Sequence, residues 1–386
     1  MISHPTIAEI DLGAIRKNFA VVKRRVAPGC KILAVVKADA YGHGAVEVSR
    51  LLTAEGADLL GVAFVGEGAE LRRAGIQTPV LVMGGILEEM ADAVAELGLS
   101  AVVATAELLR ALDQAGRRRK GVIPIHIKVD TGMGRLGTTI VEAPALIQEA
   151  NRYTGVRVEG LMTHFAEADL DNPAYAELQM ERFRSVIQSL AEKGIAVPTI
   201  HAANSAAVLR YEPPPFSIVR PGIMLYGYLP SATFKTSEIL TPALTLKTRI
   251  IHLRHVPAGT PISYGRTFVT SRPSRIAVLP IGYADGYNRQ LSNNADVLIG
   301  GELCPVVGRV CMDMTIVDVT DRTGVAMGDE AVLIGVQGNR RITAGDLAAR
   351  CGTIPYEILC GISARVPRIY KNRPQAASPP RRETGS

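Results

Sequence analysis

The sequence predicts an α/β fold, a (β/α)8 TIM barrel followed by a C-terminal, mostly antiparallel β domain. Between about residues 30 and 223, short β-branched apolar runs alternate with segments of helical spacing, the pattern of repeated βα units. The runs number eight, the count that closes a barrel. After about residue 235 the texture changes to Thr-, Val- and Ile-rich runs broken by Gly and Pro. A chain of 386 residues exceeds what one small core organises and accommodates both parts.

The barrel strands are expected at 32–36, 59–64, 80–83, 101–104, 123–129, 158–163, 199–202 and 217–219. Helices are expected between them, among others at 88–97, 107–115, 143–152 and 177–193, with Gly98, Gly116 and Gly194 closing helices as left-handed caps. A leading helix over 12–26, N-capped by Asp11, would cover the barrel or serve as its returning helix. Later strands are expected at 245–252, 275–279, 295–299, 314–319 and 330–334, with one helix at 344–351. The domains then run over 1–235 and 236–372, and the stretch 373–386, rich in Pro, Ser and Arg, reads as a disordered tail.

A composition of 47% hydrophobic and 21% charged residues is that of an ordinary soluble protein. The formal charge of +6 is small for this length, and the basic runs 117–120 and 381–382 hold no aromatic residue to stack on bases. Nucleic acid is therefore not an expected partner. No apolar stretch approaches the ~18 residues needed to cross a bilayer, and Glu9 and Asp11 precede any signal-peptide core. The five cysteines (Cys30, Cys304, Cys311, Cys351, Cys360) show no Cys-x-x-Cys pair and no zinc-like spacing with histidine. They are read as reduced thiols of a cytoplasmic protein without a metal site.

In such a barrel the chemistry sits where strands end, so polar residues at those positions are the candidates. The first strand runs straight into Lys37-Ala38-Asp39-Ala40-Tyr41-Gly42-His43-Gly44, setting an ammonium against an apolar wall that depresses its pKa. A lysine of this kind condenses with an aldehyde, and pyridoxal 5′-phosphate (PLP) so attached withdraws electrons from an amino acid's α-carbon. The fifth strand gives His126-Ile127-Lys128-Val129-Asp130-Thr131-Gly132-Met133-Gly134-Arg135, the sixth ends in Thr163-His164-Phe165, and the seventh holds His201-Ala202-Ala203-Asn204-Ser205. The eighth ends in Val219-Arg220-Pro221-Gly222-Ile223, where a glycine lets backbone N–H groups approach a phosphate. Each feature has a plainer reading: His126 and His201 as hydrogen-bonded core residues, Gly132 and Gly134 as turn residues, Lys128 as a barrel-interior ion pair. Their convergence on one rim favours a site.

The stretch from Val36 to Gly44 resembles the PLP-attachment signature of alanine racemases. The resemblance continues through 128–135, 163–165, 201–205, 219–222, Ser263-Tyr264-Gly265, Gly282-Tyr283-Ala284-Asp285-Gly286 and 308–313, covering roughly residues 5–370. It implies the same barrel and β domain, and interconversion of L- and D-alanine, which in bacteria supplies D-alanine for peptidoglycan. By that resemblance Lys37 carries PLP and is the base on one face of the α-carbon, while Tyr264 of the other subunit of a homodimer is the base on the opposite face. His164 would assist this phenol, whose ordinary pKa is near ~10. Arg220 would donate to the pyridine nitrogen, and Asn204 joins His164 in the cofactor-binding set. Tyr41, Ser205, Tyr356 and the amides of Gly222 and Ile223 would hold the phosphate. Arg135 and the Met312 amide would receive the substrate carboxylate, and Lys128 matches a lysine that the family often carries as a carbamate. The alternatives are a broader-specificity racemase or a PLP decarboxylase on this architecture, and a non-catalytic PLP-binding protein on the same kind of barrel, which would lack the second domain that this chain has. Tyr264, Tyr283 and Tyr356 around the mouth imply a small pocket, which favours alanine.

Overall fold

The computed structural model describes residues 5–373; the expected tail, from Pro374 onward, lies outside the described residues. Strand β1 (Ile7–Asp11) and helix α1 (Leu12–Arg25) lead into the barrel strands β2 (Lys31–Val35), β3 (Leu59–Val62), β4 (Val80–Val82), β5 (Ser100–Val103), β6 (Ile123–Lys128), β7 (Val156–Met162), β8 (Thr199–His201) and β9 (Ile218–Val219). All eight expected barrel strands are present, their ends shifted by a residue or two. They pair in parallel and in chain order from β2 to β8, and β9 returns to pair with β2.

The remaining seam, between β8 and β9, carries no regular ladder. Ser217 bridges it instead: its N–H donates to the Ile200 carbonyl at 3.0 Å, and its hydroxyl accepts from the Ile200 N–H at 2.5 Å. Below it the Arg220 N–H donates to the Ala203 carbonyl at 2.8 Å, so backbone groups that an open edge would strand are satisfied.

Asp11 caps α1 by accepting from the amides of Gly13 and Ala14. The helix takes the returning position: the Asn18 amide donates to the carbonyls of Leu225 and Thr241 and accepts from the Thr241 N–H, tying it to the turn after β9. Gly98 and Gly194 adopt left-handed φ of 57° and 66° as expected of caps. Gly116 does not. It lies inside helix Ala106–Arg118, and a Cβ there would stand 2.1 Å from the Gly155 carbonyl oxygen, so close packing rather than chain reversal requires the glycine.

The expectation that the barrel domain begins at residue 1 is corrected at β1. This strand pairs antiparallel with Leu244–Arg249 and parallel with Arg368–Lys371, inside the second unit's sheet. That seven-stranded sheet also holds Asp296–Ile299, Glu302–Pro305, Glu330–Gln337 and Arg340–Ile342. A three-stranded antiparallel sheet of His252–Val256, Ser274–Leu279 and Thr315–Asp318 accompanies it. The expected helix is present as Ala344–Cys351, capped by Thr343. A second helix, Pro355–Cys360, was not expected, and it brings Tyr356 to the barrel. Among the described residues no helix is long and apolar enough to cross a membrane.

Candidate active site

The strand ends of the barrel open into a cavity of about 1030 Å³. Lys37, Tyr41, Lys128, Arg135, His164, Asn204, Ser205, Arg220, Gly222, Ile223 and Tyr356 all line it. Eleven of the thirteen residues picked out from the sequence thus converge, because the C-terminal ends of β2, β6, β7, β8 and β9 share one rim. Tyr264 and Met312 do not line this cavity; they stand on the second unit's surface, 71% and 53% exposed.

Arg220 is buried, and both terminal nitrogens of its guanidinium are engaged. Its guanidinium donates to the carbonyls of Thr163 at 2.8 Å and Ala202 at 3.1 Å, and reaches Nδ1 of His201 at 3.0 Å and of His164 at 3.3 Å. Burial pulls it down to about 9, which still leaves it a cation at neutral pH. A guanidinium can only donate, so Nδ1 of His201 accepts and its Nε2–H donates to Nδ1 of His126 at 2.9 Å. A chain of three side chains therefore points in one direction. Burial, with Arg220 second for His201, holds both imidazoles neutral, His126 at about 4 and His201 well below its ordinary value. The plainer reading of these two histidines is what the structure shows: they are core residues, supporting Arg220 from behind.

Lys128 is buried, and among the described residues no ion pair reaches it, so the interior ion pair is not formed. Burial, then Arg135 and Arg220, pull it down to about 8. Burial and Arg135 also lower Lys37. At the next turn Asp130 accepts from the amides of Gly132 and Gly134, shaping the loop that ends in Arg135. Burial works to raise this carboxyl, but those amides outweigh it and the net direction is down.

On the opposite wall the Ser205 hydroxyl accepts from the Gly222 N–H at 2.8 Å. A Cβ at residue 222 would stand 2.5 Å from the Tyr41 hydroxyl, so the glycine is what lets this phenol approach the loop. Asn204 caps helix Ser205–Arg210 by accepting from the Ala207 N–H. Tyr41 packs against Tyr226 and Tyr356, with ring centroids 4.9 and 6.0 Å apart, and burial pushes both Tyr41 and Tyr356 well up. They are hydroxyl donors at neutral pH.

The turn that presents Lys37 is unusual. Ala38, Asp39, Ala40 and Tyr41 all adopt left-handed φ between 51° and 55°. For residues with a Cβ this costs about 1–2 kcal/mol each, so the surroundings must enforce it. Nothing in the sequence announced it. Cys360 also lines the cavity and was missed, although it stands four residues after Tyr356 and hence on the same helix face.

A family profile described as alanine racemase, N-terminal domain, matches residues 10–230, and one described as alanine racemase, C-terminal domain, matches residues 243–370. The chain is 46% identical over 372 residues to an alanine racemase of Halothermothrix orenii, covering 96% of this chain and 98% of that protein. It is 47% identical to one of Symbiobacterium thermophilum, covering 95% and 97%. Among solved structures, alanine racemase of Clostridium difficile 630 superposes with a TM-score of 0.91 at 38% identity, covering 96% of this chain and 97% of that one. That of E. faecalis gives 0.91 at 37%, covering 95% and 98%.

Proposed function

The chain belongs to the alanine racemase family, and from that premise we propose that it interconverts L- and D-alanine with PLP, in a homodimer whose subunits complete each other's cavities. One observation carries the reading. Lys37, Lys128, Arg135 and Arg220 line a single cavity, and among the described residues none of the four is in an ion pair. Such a concentration of unneutralised cations fits an anionic phosphate and a carboxylate, and so fits PLP with an amino acid.

Lys37 would hold PLP; Tyr41, Ser205, Tyr356 and the amides of Gly222 and Ile223 would hold its phosphate, with Asn204 and His164 beside them. When bound, PLP supplies a sink for the electron pair left on the α-carbon after proton removal. Arg220, a donor that keeps its proton, would hold the ring nitrogen and so moderate that sink. Arg135, joined by the Met312 amide of the partner subunit, receives the substrate carboxylate.

Racemisation requires that a proton leave one face of the α-carbon and return to the other. Lys37, lowered towards its neutral amine, serves one face. Tyr264 of the partner subunit serves the other. Its exposure in a single chain suits a residue that functions outside its own subunit. Burial, then Arg220 and Arg135, keep His164 neutral. With Nδ1 accepting from Arg220, its proton sits on Nε2, a donor that stabilises a phenolate and so brings Tyr264 within reach as a base. The product D-alanine would serve peptidoglycan in a bacterial cytoplasm.

Lys128, pulled to about 8, offers a share of free amine at neutral pH, and this adds CO2 to give a carbamate that would orient Arg135. A carbamate resonance in 13C-bicarbonate, absent from Lys128→Arg, is the expected result; no resonance in the native chain would leave a plain amine.

Shared sites predict complementation. Lys37→Ala and Tyr264→Phe homodimers should each be nearly inactive. Mixed and allowed to exchange subunits, they should regain about one quarter of native activity, because half the dimers are hybrids with one intact site of two. No recovery would place both residues in the same subunit's site.

A further inference from the structure

The turn after Lys37 is held partly from within and partly by the other domain. Inside it, the Ala40 N–H donates to the Val36 carbonyl and the Gly44 N–H to the Asp39 carbonyl, both at 2.9 Å. Glu67 accepts from the Ala38 amide at 2.7 Å and from the Ala63 amide at 2.6 Å, joining the turn to the end of β3.

His43 lies at the end of the turn and is completely buried. Its Nδ1 is 2.9 Å from the Tyr41 carbonyl and 3.1 Å from that of Ala40. Both partners only accept, so Nδ1 carries the proton and donates to two of the four left-handed residues. The ring packs on Tyr226 at 4.6 Å, and Nε2 has no partner among the described residues.

Arg368, on strand Arg368–Lys371 of the second unit, fixes the exit. Its Nε donates to the Gly42 carbonyl at 3.1 Å, while its two terminal nitrogens donate to the carbonyls of Ser363, Val366 and Ile362 at 2.6–2.7 Å. The fit is close: a Cβ at residue 42 would stand 2.3 Å from the Leu359 carbonyl oxygen, and one at residue 44 would collide with the Tyr370 hydroxyl.

We propose that His43 and Arg368 are positioning residues for Lys37 and Tyr41: His43 ties the left-handed turn from inside, and Arg368 ties its exit to the C-terminal domain of the same chain. The barrel's amine and phenol are then presented to the cavity only while the two domains are docked. Neither residue lines the cavity. The inference rests on the reading of Lys37 as the residue that holds PLP.

Two measurements on the full chain test it, hydrogen–deuterium exchange of residues 40–44 without cofactor and PLP binding by absorbance titration. In His43→Leu and Arg368→Lys, exchange of these amides should rise about tenfold or more, the ordinary worth of one buried hydrogen bond, while β6 exchanges as before. PLP should bind about tenfold more weakly in both. His43→Asn, whose amide nitrogen falls near the place of Nδ1, should restore most of both. Unchanged exchange and affinity in His43→Leu and Arg368→Lys would overturn the proposal, as would equal loss in His43→Leu and His43→Asn, which would show that the ring's bulk and not its hydrogen bond matters. If His43→Leu does not fold, the pair decides: local loosening in Arg368→Lys with native-like His43→Asn supports the proposal, and a native-like Arg368→Lys overturns it. A native chain that takes up no PLP would overturn the functional reading, while the exchange result still decides the positioning role.

Discussion

Lys37 was legible because five apolar residues, 32–36, run straight into a cation, and burying that cation beside Arg135 is what lowers it. The Lys37→Ala chain should fold, since a rim lysine packs little of the core, but should lack the violet-region absorbance of a lysine-bound cofactor. Retained absorbance would place the attachment elsewhere. Tyr264 was legible only through resemblance: it sits in an irregular loop, between Ser263 at φ 62° and Gly265 at φ 70°, with no periodic pattern to mark it. In Tyr264→Phe, exchange of the α-proton with solvent should fall by about 10²–10⁴-fold from one enantiomer only, the usual worth of a positioned general base. Near-native exchange from both enantiomers would remove it from that role.

Elements were read well where their period is long and poorly where a tertiary partner decides. The eight barrel strands and helix Ala344–Cys351 follow from local sequence. Strand β1 does not, because five alternating residues have no meaning until Leu244–Arg249 and Arg368–Lys371, more than 230 residues away, flank them. Gly116 was misread because a sequence shows that a glycine is needed but not whether torsion or space demands it. Space alone also governs Gly160, which the β6–β7 register sets opposite His126 beyond an irregularity at Ile125. A Cβ there would stand 2.2 Å from the His126 Nδ1 that receives the hydrogen bond from His201. Gly160→Ala should therefore cost about 1–3 kcal/mol of stability, read by denaturant melts, and should disturb Arg220 through His201. A melt within a few tenths of the native value would mean that the barrel relaxes around the new methyl group.

At the scale of the molecule, His43, His126 and His201 are buried and His164 is half-buried at the cavity wall, each pulled below its ordinary value first of all by desolvation. The unfolded chain binds protons at these sites near pH 6.5, whereas the folded chain binds them only further down. Stability is therefore retained above about 6.5 and lost as pH falls from there towards 4, by up to about 1.4 kcal/mol per unit for each ring. The midpoint of thermal unfolding should be flat from pH 8 to 7 and should drop between 6.5 and 5, above the range where carboxylates titrate. A flat profile to pH 5 would contradict the burial of these rings.

The proposed dimer lies beyond what a single chain displays; what supports it here is that two proposed site residues are exposed on the second unit, away from their own cavity. The function that joins these scales is tested most directly by incubating purified protein with PLP and L-alanine and following the enantiomers to equilibrium by chiral chromatography. Racemisation predicts convergence on equal amounts from either enantiomer. L-alanine left unchanged by protein that demonstrably carries PLP would contradict it.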